Sequence, residues 1–180
     1  MPDDIPEEFH SFELEGPFTE CCQCHRVLAD LEEPYVINKQ IERGECVLEF
    51  ALCITCHTQI SSEMSEESRR TMQNFVAENA DLETRAELHP GPPVAPYIAN
   101  CVTCRADLAT QTSYSLGGLV EYNYFQYGPY PLMVCGTCQS QLQEQLSKST
   151  KDRWNRFIAE NFDGPPAGLE PVPDRTPVLF

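Results

Sequence analysis

Four pairs of cysteines divide the chain into two matching halves. In each half one Cys-x-x-Cys pair is followed by another, after 28 intervening residues in the first half and 30 in the second. Two thiols two positions apart, from each of two loops, form the donor set of a tetrahedral Zn²⁺ site. The predicted ligands are Cys21, Cys24, Cys53 and Cys56 for one site, and Cys101, Cys104, Cys135 and Cys138 for the other. We therefore expect two Zn²⁺ ions per chain as the cofactor.

The repeat extends beyond the cysteines. The segment Phe-Val-Ala-Glu-Asn at 75–79 reappears as Phe-Ile-Ala-Glu-Asn at 157–161, at the same offset that relates Cys53 to Cys135. A fixed offset over both ligands and helix sequence indicates an internal duplication. The sequence thus predicts two tandem zinc modules, at residues 19–80 and 100–163.

Modules of this size bury little apolar core, so each needs a covalent or metal staple. Disulfides require an oxidising compartment, yet the N-terminus is acidic and lacks the pattern of an export signal. The sequence also contains no apolar run long enough to span a membrane. We therefore expect a reducing, cytoplasmic setting in which the thiols hold metal.

The elements that position the cysteines follow the same order in each module. The first pair belongs to a tight knuckle, and a Tyr- and Val-rich hairpin with Gly-containing turns follows. The predicted strands of the first hairpin are residues 34–41 and 46–52, around a polar turn at 42–45. In the second module we expect strands at 113–115, 119–127 and 130–134, with a turn or bulge at Gly117-Gly118.

Two helices complete each module. The second cysteine pair opens the first helix, because Cys56, Ile60 and Met64 lie four apart, as do their counterparts in the second module. Ser65 and Ser147 are predicted N-caps of a second helix. The predicted fold class is α+β, built from small metal-stabilised modules of knuckle, hairpin, helix and helix.

A knuckle pair, a hairpin and a second pair at the start of a helix resemble the treble-clef class of zinc modules. A zinc ribbon is a near relative that carries its second pair on another hairpin. The resemblance covers both repeats and implies four-cysteine sites that are closed to substrate and hold the fold.

Three further segments surround the modules. Residues 1–18 are acidic and contain prolines, so we expect an extended N-terminal arm. Residues 81–99 form a predicted Pro-rich linker, with four prolines in seven positions that favour a semi-rigid extended spacer. Residues 164–180 form a Pro-rich tail without predicted regular structure.

Charge bears on the class of partner. The net charge is −16, and residues 1–80 hold 17 acidic and 5 basic side chains. Nucleic-acid binding relies on Lys and Arg, so the charge of the first module argues against that role. The acidic surface serves solubility or meets a basic protein partner.

Several alternatives stay open at the cysteines. Cys22 and Cys46 are extra thiols in the first module, either apolar fillers or redox-sensitive groups, and Cys22 could replace Cys21 as a ligand. The run from Cys53 to His57 matches a c-type haem motif, but the second module has Gln139 in place of the histidine. Iron could occupy the same thiolate sites. A dithiol redox enzyme is a further candidate.

Six aromatic residues lie within 17 positions of the second module: Tyr114, Tyr122, Tyr124, Phe125, Tyr127 and Tyr130. They form either a packed strand face or an exposed protein-binding patch. We therefore expect a non-enzymatic zinc-binding adaptor between proteins. The alternatives are a nucleic-acid or transcription-associated protein acting through Lys148, Lys151, Arg153 and Arg156, and a thiol redox or metal-handling protein.

Overall fold

The structure, a computed structural model, describes residues 5–162. Its strands are β1 (Tyr35–Glu42), β2 (Glu45–Cys53), β3 (Ser113–Glu121), β4 (Tyr124–Phe125) and β5 (Leu132–Cys135). Its α-helices are α1 (Ile54–Ser62), α2 (Glu66–Asn79), α3 (Leu82–Leu88), α4 (Ala95–Ile98), α5 (Gly136–Gln145) and α6 (Lys148–Asn161). Short 3₁₀ turns lie at Glu7–Phe9, Leu28–Asp30 and Leu108–Thr110. The predicted α+β class, with two cysteine clusters, is confirmed.

One antiparallel sheet runs through both halves of the chain. Its order is β2-β1-β3, and both β4 and β5 pair with the far side of β3. The central pairing joins β1 of the first half to β3 of the second, from Tyr35 opposite Val120 to Glu42 opposite Ser113. The two halves are therefore joined by backbone hydrogen bonds along eight residue pairs.

The central strands meet about a local two-fold axis. Tyr35 pairs with Cys53 in the first half and Tyr114 pairs with Cys135 in the second, so the two tyrosines occupy equivalent positions. By the same equivalence Asn38 corresponds to Gly117, and these two residues face each other in the β1–β3 ladder. The halves thus associate within one chain as the subunits of a symmetric dimer do.

The second helix of each half packs on the other half. Phe75 of α2 packs against Leu142 on α5 and Leu146 at its C-cap. Phe157 of α6 contacts Phe50 of β2 edge-on, with ring centroids 5.5 Å apart. The core of each half is therefore completed by a helix from the other half of the chain.

Buried hydroxyls hold the beginnings of these exchanged helices together. The N-cap hydroxyls of Ser65 and Ser147 lie 2.9 Å apart. The Ser147 amide donates to Ser68 Oγ at 2.9 Å, and the equivalent Ser65 amide donates to Thr150 Oγ1 at 3.1 Å. Each such bond contributes roughly 1 kcal/mol, and an unpaired buried amide would cost more.

The N-terminal segment is packed onto the sheet. Ile5 and Phe9 are buried, and the Phe9 ring lies 4.8 Å from that of Phe125. A bridge between Ser11 and Gly16 then turns the chain back. The prediction of an extended arm is therefore wrong for residues 5–18, because apolar side chains among the acidic ones anchor the segment.

The linker is also folded. It contains α3 and α4, and the buried Arg85 guanidinium donates to the carbonyl oxygens of Tyr97 and Pro131, the latter at 2.6 Å. The prediction of an extended spacer at 81–99 is wrong in these helices. The Leu82–Leu88 helix ends before the prolines begin, and Pro96 lies in the first turn of α4, where its missing amide proton costs nothing.

The second hairpin turns later than predicted. β3 runs straight through Gly117-Gly118, and the turn lies at residues 122–123, where φ is 50° and 66°. Gly118 is needed for close packing instead, since a Cβ there would lie 2.8 Å from the rings of Phe9 and Phe125. In the first hairpin the turn predicted at 42–45 is confirmed.

Two further predictions concern the C-terminal tail and membrane-spanning helices. The Pro-rich tail at 164–180 lies outside the described residues. Among residues 5–162, no helix combines the length and apolar character required to cross a lipid bilayer.

Candidate metal centres

The first cysteine pair of each half lies in a tight loop. In the first half a bridge between Glu20 and Val27 closes the loop, the Cys21 amide donates to the Arg26 carbonyl at 3.0 Å, and His25 has a φ of 58°. The second half repeats this geometry, with Arg105 at a φ of 65°. The left-handed residue turns the chain so that both thiols of a pair face one point.

The second pair lies where a strand becomes a helix. Cys53 is the last residue of β2 and the N-cap of α1, and Cys135 has the same place between β5 and α5. Cys56 and Cys138 follow in the first helical turn. Unpaired amides at a helix N-terminus favour negative charge, which suits thiolate ligands.

The structure brings the eight predicted ligands together in two groups of four. Within each group the sulfur atoms all lie within 4.8 Å of one another. The Cys24 and Cys53 sulfurs are 3.8 Å apart, and those of Cys104 and Cys135 are 3.6 Å apart. A Zn–S bond of about 2.3 Å places the sulfurs of a tetrahedral site about 3.8 Å apart. All ten cysteines are free thiols, so the groups are suited to a metal ion rather than to disulfides.

Backbone amides support one sulfur in each group. The Cys53 amide donates to Cys21 Sγ at 3.4 Å, and the equivalent Cys135 amide donates to Cys101 Sγ at the same distance. Burial opposes ionisation of Cys101, but amide and Thr103 hydrogen bonds outweigh it and lower the Cys101 pKa to about 6. Burial raises the pKa of Cys138. A bound metal cation would stabilise the thiolate form of the cysteines whose pKa is raised by burial.

A guanidinium donates hydrogen bonds to two sulfurs of the first group, and no such bond is present in the second group within the described part of the chain. Arg26 donates from Nε to Cys24 Sγ at 3.4 Å and from Nη2 to Cys53 Sγ at 3.1 Å. Burial acts to raise the Cys24 pKa, and the Arg26 hydrogen bonds outweigh it and lower the pKa to about 6. Glu33 holds the guanidinium and also accepts from the Thr55 amide at 3.0 Å. Four thiolates with one dication carry a charge of −2, which Arg26 partly offsets.

Sequence reasoning missed this support. The signal was present as a difference between the repeats, since Arg26 follows the first knuckle pair by two positions and Ala106 stands at the equivalent place. Glu33 gave no comparable signal, because its contact with Arg26 depends on how the segment before β1 folds back over the knuckle. Its pKa is lowered, mainly by the hydrogen bond from Thr55.

The two extra thiols lie outside both groups. Cys22 packs against the core, and its amide donates to the Ala51 carbonyl at 2.9 Å. Cys46 lies in β2, with its sulfur 3.5 Å from Glu49 Oε2. Burial raises the pKa of Cys22, and burial with the nearby Glu49 charge raises that of Cys46 to about 12. Thiols with raised pKa values react slowly at neutral pH.

The aromatic region of the second half is divided between core and surface. Phe125 is buried, whereas Tyr122 and Tyr124 are 64% and 63% exposed at the turn of the second hairpin. Tyr114, Tyr127 and Tyr130 are partly buried against the core. The packed face is therefore confirmed for four of the six aromatic residues, and protein binding by the two exposed tyrosines stays a prediction.

The chain thus contains tandem four-cysteine clusters whose spacing and geometry suggest zinc-binding modules. Comparisons with protein-family models, curated proteins and solved structures return no significant match.

Proposed function

We propose that this chain is a non-enzymatic adaptor protein in which two structural Zn²⁺ ions stabilise a surface that binds another protein. The observation that carries the proposal is the closure of each cysteine group. Four converging thiols fill every position of a tetrahedral ion and leave none for a substrate. The order of knuckle, hairpin and helix around each group also supports the treble-clef assignment.

The binding free energy of structural zinc is large enough to stabilise this fold. Structural Zn²⁺ contributes roughly 10–16 kcal/mol of apparent binding free energy in small modules. The free energy of unfolding of a domain is about 5–15 kcal/mol. Two ions at the junctions between knuckles and helices would therefore account for much of the stability of this small shared core. Zn²⁺ also has no redox chemistry of its own, which suits such a role.

The charges of the second half favour a protein partner over a nucleic acid. Of the cations on α6, Arg153 pairs with Glu63 and Lys148 pairs with Asp152 at 2.6 Å. These pairs reduce the positive charge available to phosphates, and the net charge of −16 repels a polyanion. A redox role has less support, because the pKa values of Cys22 and Cys46 are raised.

Cross-linking in the cells that produce the protein tests the adaptor role. The tagged full chain is cross-linked, purified under denaturing conditions, and its adducts are quantified by mass spectrometry. We expect one protein to recur in stoichiometric amounts, and expect a Cys104→Ser variant to lose it with the loss of zinc. Absence of any stoichiometric partner, together with turnover of a small molecule by the zinc-loaded chain, would refute the proposal.

A further inference from the structure

The two-fold axis makes two places on one face of the sheet equivalent, and the side chains of residues 5–162 fill one of them and leave the other open. The rings of Phe9 and Phe125 cover Gly118 in β3. The residue equivalent to Gly118 is Lys39 in β1, which faces Leu116 across the ladder. An open groove lies beside Leu116, and the exposed ring of Phe12 borders this groove over the Lys39 ammonium group, with 5.3 Å between Nζ and the ring centroid.

This groove has an apolar floor and an acidic rim. The floor is formed by Ile41, Ile98, Leu108, Tyr114 and Leu116, from β1, α4, a 3₁₀ turn and β3. The rim carries three exposed carboxylates, those of Glu7, Glu8 and Glu15. The volume of the groove, about 480 Å³, is sufficient for a large side chain and the backbone that carries it.

Lys39 does not offset the rim charge. Its ammonium group donates to the His10 carbonyl and lies 3.5 Å from Glu49 Oε2, and its side chain is only 4% exposed. Glu49 in turn accepts the Ser11 hydroxyl at 2.7 Å and the Phe12 amide at 2.8 Å. This ion pair fixes the N-terminal segment that forms the rim, and it leaves the glutamates to determine the field at the groove.

We propose that the groove binds a partner segment in which one aromatic or large aliphatic side chain is flanked by Lys or Arg. This inference rests on the proposed adaptor function and names the partner chemistry. Phe9 is the model for the anchor, since its apolar side chain, carried by a short 3₁₀ turn, already occupies the equivalent place. Flanking cations complement the glutamates of the rim, and such complementarity governs both association rate and specificity.

Charge argues against two other occupants. A second copy of this chain would bring its own acidic segment, including Glu7 and Glu8, against the same rim. The chain's residues 163–180 contain three acidic side chains and one basic side chain, so they are repelled as well. A basic segment of another protein fits best.

Calorimetric titration of the zinc-loaded full chain tests the proposal with three short synthetic peptides. One carries a central Phe flanked by Lys and Arg, the second replaces that Phe by Ala, and the third replaces the cations by Glu. We expect only the first to bind. The rim variant Glu7→Lys/Glu8→Lys/Glu15→Lys should weaken its binding by about tenfold or more. A matched control, Glu78→Lys/Glu87→Lys/Glu160→Lys, makes the same charge change at exposed positions outside the groove and should leave most of the affinity intact.

Four results would overturn the proposal. They are failure of the Lys/Arg-flanked Phe peptide to bind, equal binding of the Ala or Glu peptide, equal weakening by the two triple variants, and equally tight binding of a synthetic peptide of residues 163–180. Failure here is distinguishable from failure of the adaptor role. If the cross-linked partner persists with the rim variant, the chain is an adaptor that uses a different surface.

Discussion

The two cysteine groups share one sulfur geometry but differ in their surroundings. Both have a left-handed knuckle residue, an amide-to-sulfur bond of 3.4 Å and a pair at a helix N-terminus. In the first group Arg26 contacts two sulfurs, whereas Ala106 occupies its place in the second. The duplication has thus kept what holds an ion and changed what surrounds it.

The two equivalent places on the sheet differ in the same way. One is filled by Phe9, and the other is a groove with an acidic rim. The halves therefore resemble each other in the cysteine groups and differ in the side chains that surround these groups and cover the sheet. These differences between the halves are the places to look for function.

The largest expected effect follows from removing a ligand at either site. Because α2 and α6 are exchanged between halves, Cys24→Ser and Cys104→Ser should each unfold the whole chain. Trp154 lies fully buried on α6 of the second half and reports the result. Its fluorescence should change as fully in Cys24→Ser as in Cys104→Ser, although Cys24 lies in the other half. A native Trp154 signal in zinc-depleted Cys24→Ser would mean that the halves are stable independently.

A methyl group added beneath Phe9 tests the filled place on the sheet. Gly118→Ala puts a Cβ 2.8 Å from two buried rings, so the rings must move, at a cost of about 2–3 kcal/mol in the free energy of unfolding. The neighbouring Gly117→Ala meets nothing within 4 Å and serves as the control, with an expected change below about 1 kcal/mol. Urea unfolding measures both. Equal effects of the two substitutions would show that Phe9 does not pack on Gly118.

The hydroxyl cluster tests the symmetry of the helix exchange. Ser68→Ala leaves the Ser147 amide without its acceptor, and Thr150→Val does the same to the Ser65 amide. Each should cost roughly 1–2 kcal/mol, since one partly buried amide donor is left unpaired in each case. The double variant should deviate from additivity, because the four residues share one network. A large cost for one substitution and none for the other would contradict the two-fold arrangement.

The smallest expected effect concerns the neighbours of the metal groups. Arg26→Ala makes the first group resemble the second, and it should weaken zinc binding at that site alone by about tenfold, as loss of a supporting residue does elsewhere. Transfer of zinc to a coloured chelator measures the change. Zinc from the weakened site should be released in a faster phase that accounts for half of the total signal. The same substitution of another exposed arginine, Arg70→Ala, should leave both phases unchanged. A change in both phases with Arg26→Ala would show that it acts on the fold rather than on one site.

Local features of the fold were predictable from the sequence. The i, i+4 spacing that begins at Cys56 and the serine N-caps at 65 and 147 reflect short-range chemistry, and the structure reproduces them. The clusters could be anticipated as well, because thiol spacing alone restricts their geometry. The sequence predicts Ser65 and Ser147 as separate caps. It does not predict that their hydroxyls contact each other at the two-fold axis between the halves.

Long-range features were not predictable. The pairing of β1 with β3 depends on which strand edges meet. The sequence predicts a turn or bulge at Gly117-Gly118, because it does not show that Phe9, about a hundred residues earlier, packs on Gly118. The anchoring of the acidic segment depends on Glu49 accepting its amides, which composition does not indicate. The groove exists only because these long-range contacts leave one of two equivalent places open.

Elemental analysis of the purified full chain shows whether both cysteine groups hold zinc. The metal is measured by inductively coupled plasma mass spectrometry against protein concentration from amino-acid analysis, with protein purified without added metal or chelator. We expect two zinc atoms per chain, and loss of both in Cys24→Ser and in Cys104→Ser, because either substitution should unfold the whole chain. One zinc atom per intact chain, iron in place of zinc, or metal-free protein that retains the native fold would contradict this expectation.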